Sequence, residues 1–380
     1  MKFVPVLEHD SGGVTTTDQE NRVNLLGLDR KALESWFQGI GEKSYRAHQV
    51  LKWVHARGVV DFDAMTDLGK SLRSRLKEET CLDLPLVVQT QVSRDGTTKW
   101  LMALEDGNRI ETVFIPEANR GTLCVSSQVG CALNCAFCAT ARQGFSRNLN
   151  TAEIIGQVWQ AHRSLEQGNI TNVVLMGMGE PLLNFAAVIP ALELMMDDLA
   201  YGLAKRRVTV STAGLVPAID RLAQVSDASL AVSLHATTDA LRNELVPINR
   251  KYPLDQLLDA CHRFIHCDRQ RGRKITWEYV MIDGVNDSVA DARRLVKLLS
   301  HIPSKVNLIP FNSFEGVDFK RSPQESINRF QAVLQAAGYL TTVRRTRGDD
   351  IDAACGQLVG RVKAKSFPRR RTIPLKLVAG

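Results

Sequence analysis

From residue 121 onward the chain keeps to one rhythm. Apolar, strand-like runs ("TLCVSS", "TNVVLMGMG", "RRVTVSTAG", "ASLAVSLHA", "ITWEYVMIDG", "SKVNLIPFN") alternate with amphipathic segments such as "AEIIGQVWQAHRSLEQ", "LDQLLDACHRFIHCD" and "DARRLVKLLSHI". Runs that are apolar throughout mark strands buried on both faces, and the helical stretches between them mark parallel crossovers. The unit recurs six times, short of the eight that close a full barrel. The fold class is α/β, with an open, partial (β/α)6 barrel as one solution and a doubly wound sheet as the other. In both, ligands collect at the C-terminal ends of the strands. The cysteine loop, "GMGEP", "STAG", "SLHA" and "PFN" all fall just past these runs, in phase on that one rim.

Two smaller blocks precede this region. Residues 1–22 read as a polar arm, with no apolar core of the kind a secretory signal carries. Residues 23–80 are helical, with apolar spacing of three and four in "DRKALESWFQGI" and "SYRAHQVLKWVH". Asp29 and Ser44 are candidate caps, and "GIGEKS" is the turn between these segments. Residues 81–120 change character: "LPLVVQTQV", "TKWLMALED" and "RIETVFIPE", joined by "SRDGT" and "DGN", predict a short antiparallel β extension. The main unit is expected over 121–345 and a C-terminal segment over 346–380.

No apolar run reaches the roughly 18 residues a membrane span needs, so a cytoplasmic address and no membrane partner are expected. The net charge is +7, a modest hint of a polyanionic partner. Residues 361–376 hold seven basic side chains and no acidic one. That stretch suits a solvated tail and a nucleic-acid contact equally well.

Four of the eight cysteines fall within residues 124–138, "CVSSQVGCALNCAFC". Cys131, Cys135 and Cys138 form C-x3-C-x2-C. Structural zinc sites use four ligands in separated C-x2-C pairs, and no second pair exists here. An iron–sulfur cube takes four thiolates, so three leave one iron open to an outside ligand. Phe137 adds an apolar shield beside Cys138. Cys81, Cys261 and Cys267 stand singly and read as inert thiols. Cys355, in "RTRGDDIDAACGQL", sits in charged surroundings that make a poor core; nearby arginines favour a thiolate and the aspartates oppose it.

This loop, after the first strand of a six-unit chain, resembles the radical S-adenosylmethionine (SAM) enzymes. Their [4Fe-4S] cluster is chelated by SAM at the open iron and cleaves it to a 5′-deoxyadenosyl radical. The resemblance favours the partial (β/α)6 barrel. It implies that Cys131, Cys135 and Cys138 ligate one cluster per chain. It further implies that Gly179 and Glu180 of "GMGEP", Ser211 of "VSTAG", Ser233, Leu234 and His235 of "SLHA", and Asn312 of "PFN" contact SAM. Taken alone, His235 would read as a satisfied core histidine.

From about residue 25 to 360 the motifs "TLCVSSQVGCALNCAFCATARQGFSRNL", "VVLMGMGEPLLN", "KRRVTVSTAG", "VPINRKY", "VNLIPFN" and "VRRTRGDDIDAACGQL" resemble the RlmN family of bacterial RNA adenine C2-methyltransferases. The resemblance implies two SAM per turnover. The first methylates Cys355, and the carbon so installed is then joined to adenine C2. Glu111 removes the C2 proton, and Cys124 attacks the Cys355 sulfur, forming a transient disulfide that frees the RNA. Read from sequence alone, Glu111 is a strand carboxylate whose default is exposure. The implied partners are 23S rRNA, at the peptidyl transferase centre, tRNA, at the adenosine 3′ of the anticodon, and a one-electron reductant of the flavodoxin type. A monomer is expected. Two alternatives stay open: a C8-methylating antibiotic-resistance relative, and a zinc-bearing RNA-binding protein.

Overall fold

The structure is a computed structural model that describes residues 22–360 except 166, 167 and 271. Nearly all of the polar arm, and the basic stretch 361–376, lie outside the described residues. Ten strands form one sheet: β1 (Leu86–Val92), β2 (Thr98–Ala103), β3 (Arg109–Glu117), β4 (Arg120–Cys124), β5 (Asn172–Leu175), β6 (Val208–Thr212), β7 (Ser229–Ser233), β8 (Ile275–Met281), β9 (Ser304–Pro310) and β10 (Leu340–Val343). They lie side by side in strict chain order. A doubly wound sheet reverses its strand order at a switch point, so strict order leaves the open barrel.

Strand β4 joins two kinds of sheet. It pairs antiparallel with β3 and parallel with β5. The extension predicted over residues 81–120 therefore continues the barrel sheet itself. The six apolar runs become β4 to β9. A seventh parallel strand, β10, follows them and pairs with β9. Its sequence, "LTTV", is short, polar and half exposed, which is why no apolar run announces it.

The N-terminal block contains α1 (Arg30–Gly39), α2 (Ser44–Leu51) and α3 (Lys70–Glu79). Asp29 caps α1, accepting from Ala32 N at 2.9 Å. Ser44 does not cap α2: Lys43 occupies the N-cap position and no side chain supplies a bond there. The block docks on the outside of the barrel. Trp159 Nε1 donates to Val54 O (2.9 Å), and Arg30 pairs with Asp197 and Asp198. The crossovers of the parallel region are α4 (Thr151–Ser164), α5 (Phe185–Met196), α6 (Val216–Val225), α7 (Asp239–Leu245), α8 (Leu254–His266), α9 (Val289–Leu298) and α10 (Gln324–Ala336). Among the described residues no helix is long and apolar enough to cross a membrane.

One buried polar residue binds the extension to the barrel. Gln157, on α4, is fully buried. Its Oε1 accepts from Thr112 Oγ1 (2.8 Å) and Ser126 N (2.7 Å), while its Nε2 donates to Ser126 O (2.9 Å). Ser126 Oγ then donates to Glu111 O and accepts from Met178 N. Helix, antiparallel strand and two rim loops are thus held by a single amide. Gln157→Leu preserves volume but strands at least two buried backbone groups, at about 1–3 kcal/mol each. It should lower the urea midpoint of the metal-free protein by the equivalent of about 2–4 kcal/mol without changing the m-value.

Candidate active site

Residues 131–138 leave the sheet between two short strands, Gln128–Gly130 and Phe145–Asn148, which pair with each other. Gly130 makes this hairpin possible. Its φ is +73°, and a Cβ there would lie 1.8 Å from Gly144 O, so no larger residue fits. Cys131 N donates to Gly144 O (2.9 Å), Ala136 N to Leu245 O (3.0 Å) and Ala139 N to Gly356 O (2.7 Å). The loop rests on a small apolar cluster at the barrel mouth that includes Val280, Ile282 and Phe311.

A cavity of about 980 Å³, counting its open mouth, lies inside this rim. All three loop cysteines line it, together with Gly179, Glu180, Ser211, Ser233, His235, Asn312 and Cys355. Leu234 does not: it is buried in the main core, its N–H donating to Glu278 O and its carbonyl accepting from Arg242. Glu111 and Cys124 also lie behind the cavity wall rather than in it.

Desolvation pushes Cys131 up to about 12 and raises Cys135 and Cys138 as well, with the thiols adding to one another's shifts. Cys131 is buried and Cys135 and Cys138 are half-buried; three thiolates this close would repel one another, so a cation that displaces their protons favours the charged forms. Among the described residues no three His, Cys, Asp or Glu side chains converge tightly enough to hold a single ion. A cube spreads its ligands over separate corners, so this donor set fits a cluster better than one zinc ion.

The facing loops are fastened to each other. Ser127 N and Gln128 N donate to Met178 O, and Glu180 N donates to Gln128 Oε1. Gly179 has φ +99°, and a Cβ there would fall 2.5 Å from the Gln128 side chain. The Glu180 carboxylate accepts from Leu182 N (3.1 Å) and Ala213 N (2.8 Å), tying this loop to "STAG". Burial lifts its pKa to about 6 against those hydrogen bonds. His235 is left-handed, at φ +61°. Its Nδ1 accepts from Val280 N (3.0 Å), and its ring meets Phe137 edge-on at 4.5 Å. Burial, then Arg242, pushes its pKa down to about 3. The ring is neutral, with its proton on Nε2. It is both a satisfied core histidine and part of the cavity wall.

The far wall brings in the C-terminal segment. Asn312 Nδ2 donates to Cys355 O (3.2 Å), and Thr140 Oγ1 donates to Leu358 O (2.7 Å). Cys355 is exposed, with Arg344 Nη1 4.0 Å from its Sγ. Of the aspartates near it in sequence, Asp350 turns elsewhere, accepting from Ser93 Oγ and Arg94 N. Cys124 sits on β4, and burial, then Cys355, pushes its pKa up to about 12. Glu111 corrects the expectation of exposure: it is 5% exposed. Lys99 Nζ meets its Oε1 (3.1 Å), and Val359 N donates to its Oε2 (2.7 Å).

Two participants, Glu278 and Arg242, escape sequence reasoning, and a third, Arg344, is one of the arginines the sequence places near Cys355. Glu278, on β8, lines the cavity with one carboxylate oxygen lacking a partner and the other accepting from Asn307. Arg344 contacts sulfur atoms of both Met176 and Cys355. Arg242 lies buried behind the rim. Only the burial of an ionisable residue in an apolar strand, "ITWEYVM", could have flagged Glu278. Gly179→Ala, clashing with Gln128 and strained at φ +99°, should weaken SAM binding at least tenfold by equilibrium dialysis while the melting temperature of the metal-free protein falls only a few degrees.

Comparison with known proteins agrees with this geometry. A family model described as the ribosomal RNA large subunit methyltransferase N-terminal domain matches residues 23–82, and the radical SAM superfamily model matches residues 125–296. The dual-specificity RNA methyltransferase RlmN of Marinobacter nauticus is 56% identical, over 95% of this chain and 99% of its own. That of Alkalilimnicola ehrlichii is 58% identical, over 93% and 99%. A solved radical SAM methyltransferase from Sphaerobacter thermophilus is 45% identical with a TM-score of 0.82, covering 88% of this chain and 99% of its own. The chain belongs to the RlmN family of the radical SAM superfamily.

Proposed function

We propose that this protein methylates C2 of adenosine in RNA, in 23S rRNA and in tRNA, using Cys355 as the carbon carrier. One observation carries the reading: Cys355 lines the same cavity as the three cysteines of the distant loop 131–138. A thiol meant only for the core would not be exposed there.

Cys131, Cys135 and Cys138 would hold a [4Fe-4S] cluster, and the loops carrying Gly179, Glu180, Ser211, Ser233 and His235 would hold SAM against it. When bound, this pair supplies a 5′-deoxyadenosyl radical. Adenine C2 is electron-poor and has no lone pair to attack a methyl donor, so a one-electron route suits it. The Cys355 sulfur takes up a methyl group, and loss of one hydrogen atom from that group to the 5′-deoxyadenosyl radical would leave a carbon radical that bonds to C2, one electron returning to the cluster as C2 gives up its proton. In the structure Arg344 Nη1 lies 4.0 Å from that sulfur. Glu111 would accept the C2 proton. With its Oε2 spent on Val359 N, that step requires the segment 357–360 to lift away. The Cys124 sulfur then attacks Cys355 Sγ. The S–S bond forms as the Cys355 Sγ–carbon bond breaks, the released carbon takes up a proton to become the methyl group on the base, and the disulfide must be reduced to two thiols before the next cycle. A base inside folded RNA must leave its stack to reach such a cavity. The N-terminal block and the basic excess suit backbone contacts. A one-electron reductant of the flavodoxin type and a monomeric enzyme complete the proposal.

Anaerobic incubation of the cluster-loaded protein with SAM, reductant and rRNA or tRNA transcripts tests it, read by nucleoside mass spectrometry. 2-Methyladenosine is expected; 8-methyladenosine alone would move the chain to the C8 branch, and a colourless zinc protein would remove the radical route. Cys355→Ala should abolish RNA methylation altogether, while the cluster absorbance persists. Cys124→Ala should leave RNA covalently attached to the protein, visible as a shifted band that nuclease treatment shortens. Released methylated product from that variant would remove Cys124 from the resolving role.

A further inference from the structure

The most unusual charge in the molecule is Arg242, on the short helix α7. Its side chain is fully buried, and all four of its acceptors are neutral oxygens. Nε donates to Leu234 O (3.0 Å), Nη1 to Asn249 Oδ1 (2.8 Å), and Nη2 to Ala213 O (2.7 Å) and Ser233 O (3.1 Å). The nearest acid in this network, Asp239, is reached only through Asn249, whose Nδ2 donates to Asp239 Oδ1. Burial pulls the pKa down to about 10, with Cys135 first among the groups opposing it. The guanidinium is therefore a cation at neutral pH.

A buried charge without a paired counter-charge costs several kcal/mol. Hydrogen bonds to carbonyls offset part of that, and the remainder calls for negative charge nearby. The surroundings show where such charge would come from. Three of the four acceptors, all but Asn249, belong to the "STAG" and "SLHA" loops, whose Ser211, Ser233 and His235 line the cavity. Cys135 lies in the loop that rests on Leu245, at the end of the same helix.

We propose that Arg242, a positioning residue for the rim loops, also acts electrostatically as the fixed counter-charge of the cluster held by Cys131, Cys135 and Cys138, and so raises that cluster's reduction potential. The inference rests on the function proposed for Cys131, Cys135 and Cys138. A four-iron core of charge two plus on three thiolates carries one net negative charge, and two after accepting an electron from the reductant. A fixed cation behind Cys135 favours the more negative state, and the low dielectric around it strengthens the effect. The same fork clamps two SAM-facing loops. One side chain would thus couple the ease of electron uptake to the shape of the SAM pocket.

The test compares wild type with Arg242→Gln and Arg242→Lys, each reconstituted anaerobically, by potentiometric titration of the cluster and by SAM binding. Arg242→Gln should give a more negative midpoint potential and at least tenfold weaker SAM binding. Arg242→Lys, which keeps the charge but not the fork, should hold the wild-type potential and lose SAM affinity only. Should the glutamine variant not fold, Asn249→Asp sets a carboxylate against Nη1 and should lower the potential in its place. A cluster whose potential is the same in every folded variant overturns the electrostatic role and leaves a purely structural arginine, as does failure of both charge-cancelling variants to fold. Wild-type protein that binds no iron, against the expected about four per chain, would instead bring down the proposed function itself, and this inference with it.

Discussion

Everything at the active rim depends on strand direction. From β4 to β10 every neighbouring pair is parallel and in chain order, so every strand in this stretch points its C-terminal end at the same edge. Loops with no local reason to meet are delivered to one place: the cysteine loop after β4, "GMGEP" after β5, "STAG" after β6, "SLHA" after β7 and "PFN" after β9. The right-handed crossover that goes with parallel pairing puts the helices on the outside and leaves the inner face for side chains such as Glu278 and Ser211. Convergence of donors is a by-product of the ladder.

A barrel of this kind is incomplete on one side, and the protein closes it with its own flanking segments. The antiparallel strands β1 to β3 prolong the sheet past β4, and the C-terminal segment lies across them. Lys99 Nζ reaches Asp352 O, Gly348 N reaches Asp95, and Val359 N reaches Glu111. On its other side the segment is bonded to the turn that follows the cysteine loop, through Ala139 N, Thr140 Oγ1 and Gln143 Nε2. These are mostly single hydrogen bonds, worth about 0.5–1.5 kcal/mol each. Burial of Ala353 and Leu358 in the main core adds apolar contact to these bonds.

Much of this is legible in the sequence because the informative signals are local. Three cysteines in a tight loop, a glycine-rich turn after an apolar run and a regular βα rhythm need no knowledge of distant partners. What escapes is non-local. As a carboxylate on the predicted strand "RIETVFIPE", Glu111 reads as exposed by default. Yet β3 is flanked by β2 and β4 and covered on both sides, its residues from Ile110 to Phe114 all buried. Arg242 belongs to an ordinary-looking amphipathic stretch, and only the folded chain shows four carbonyl or amide oxygens converging on it. Gln157 looks like any polar helix residue until Thr112 and Ser126 are brought to it. Strand β10 carries too few apolar residues to stand out.

The two thiols expected to meet during turnover are held very differently. Cys124 is in register with Val113 on one side and Val174 on the other, so its backbone is locked between two neighbours in the middle of a ten-stranded sheet. Cys355 sits on an irregular loop, itself exposed while its neighbours Ala353, Ala354 and Leu358 are buried, and is held by Asn312 and by side-chain bonds to the flanking residues. The sheet supplies an anvil and the loop a shuttle. In the proposed cycle the carrier would cover whatever distance separates the sulfurs, and the pace would pass to a stretch of chain outside any helix or strand longer than one turn. Substitutions that stiffen or slacken the residues on either side of Cys355 would retune turnover without touching a reacting atom. The resolving end leaves no such freedom, because any shift of Cys124 would have to move the sheet.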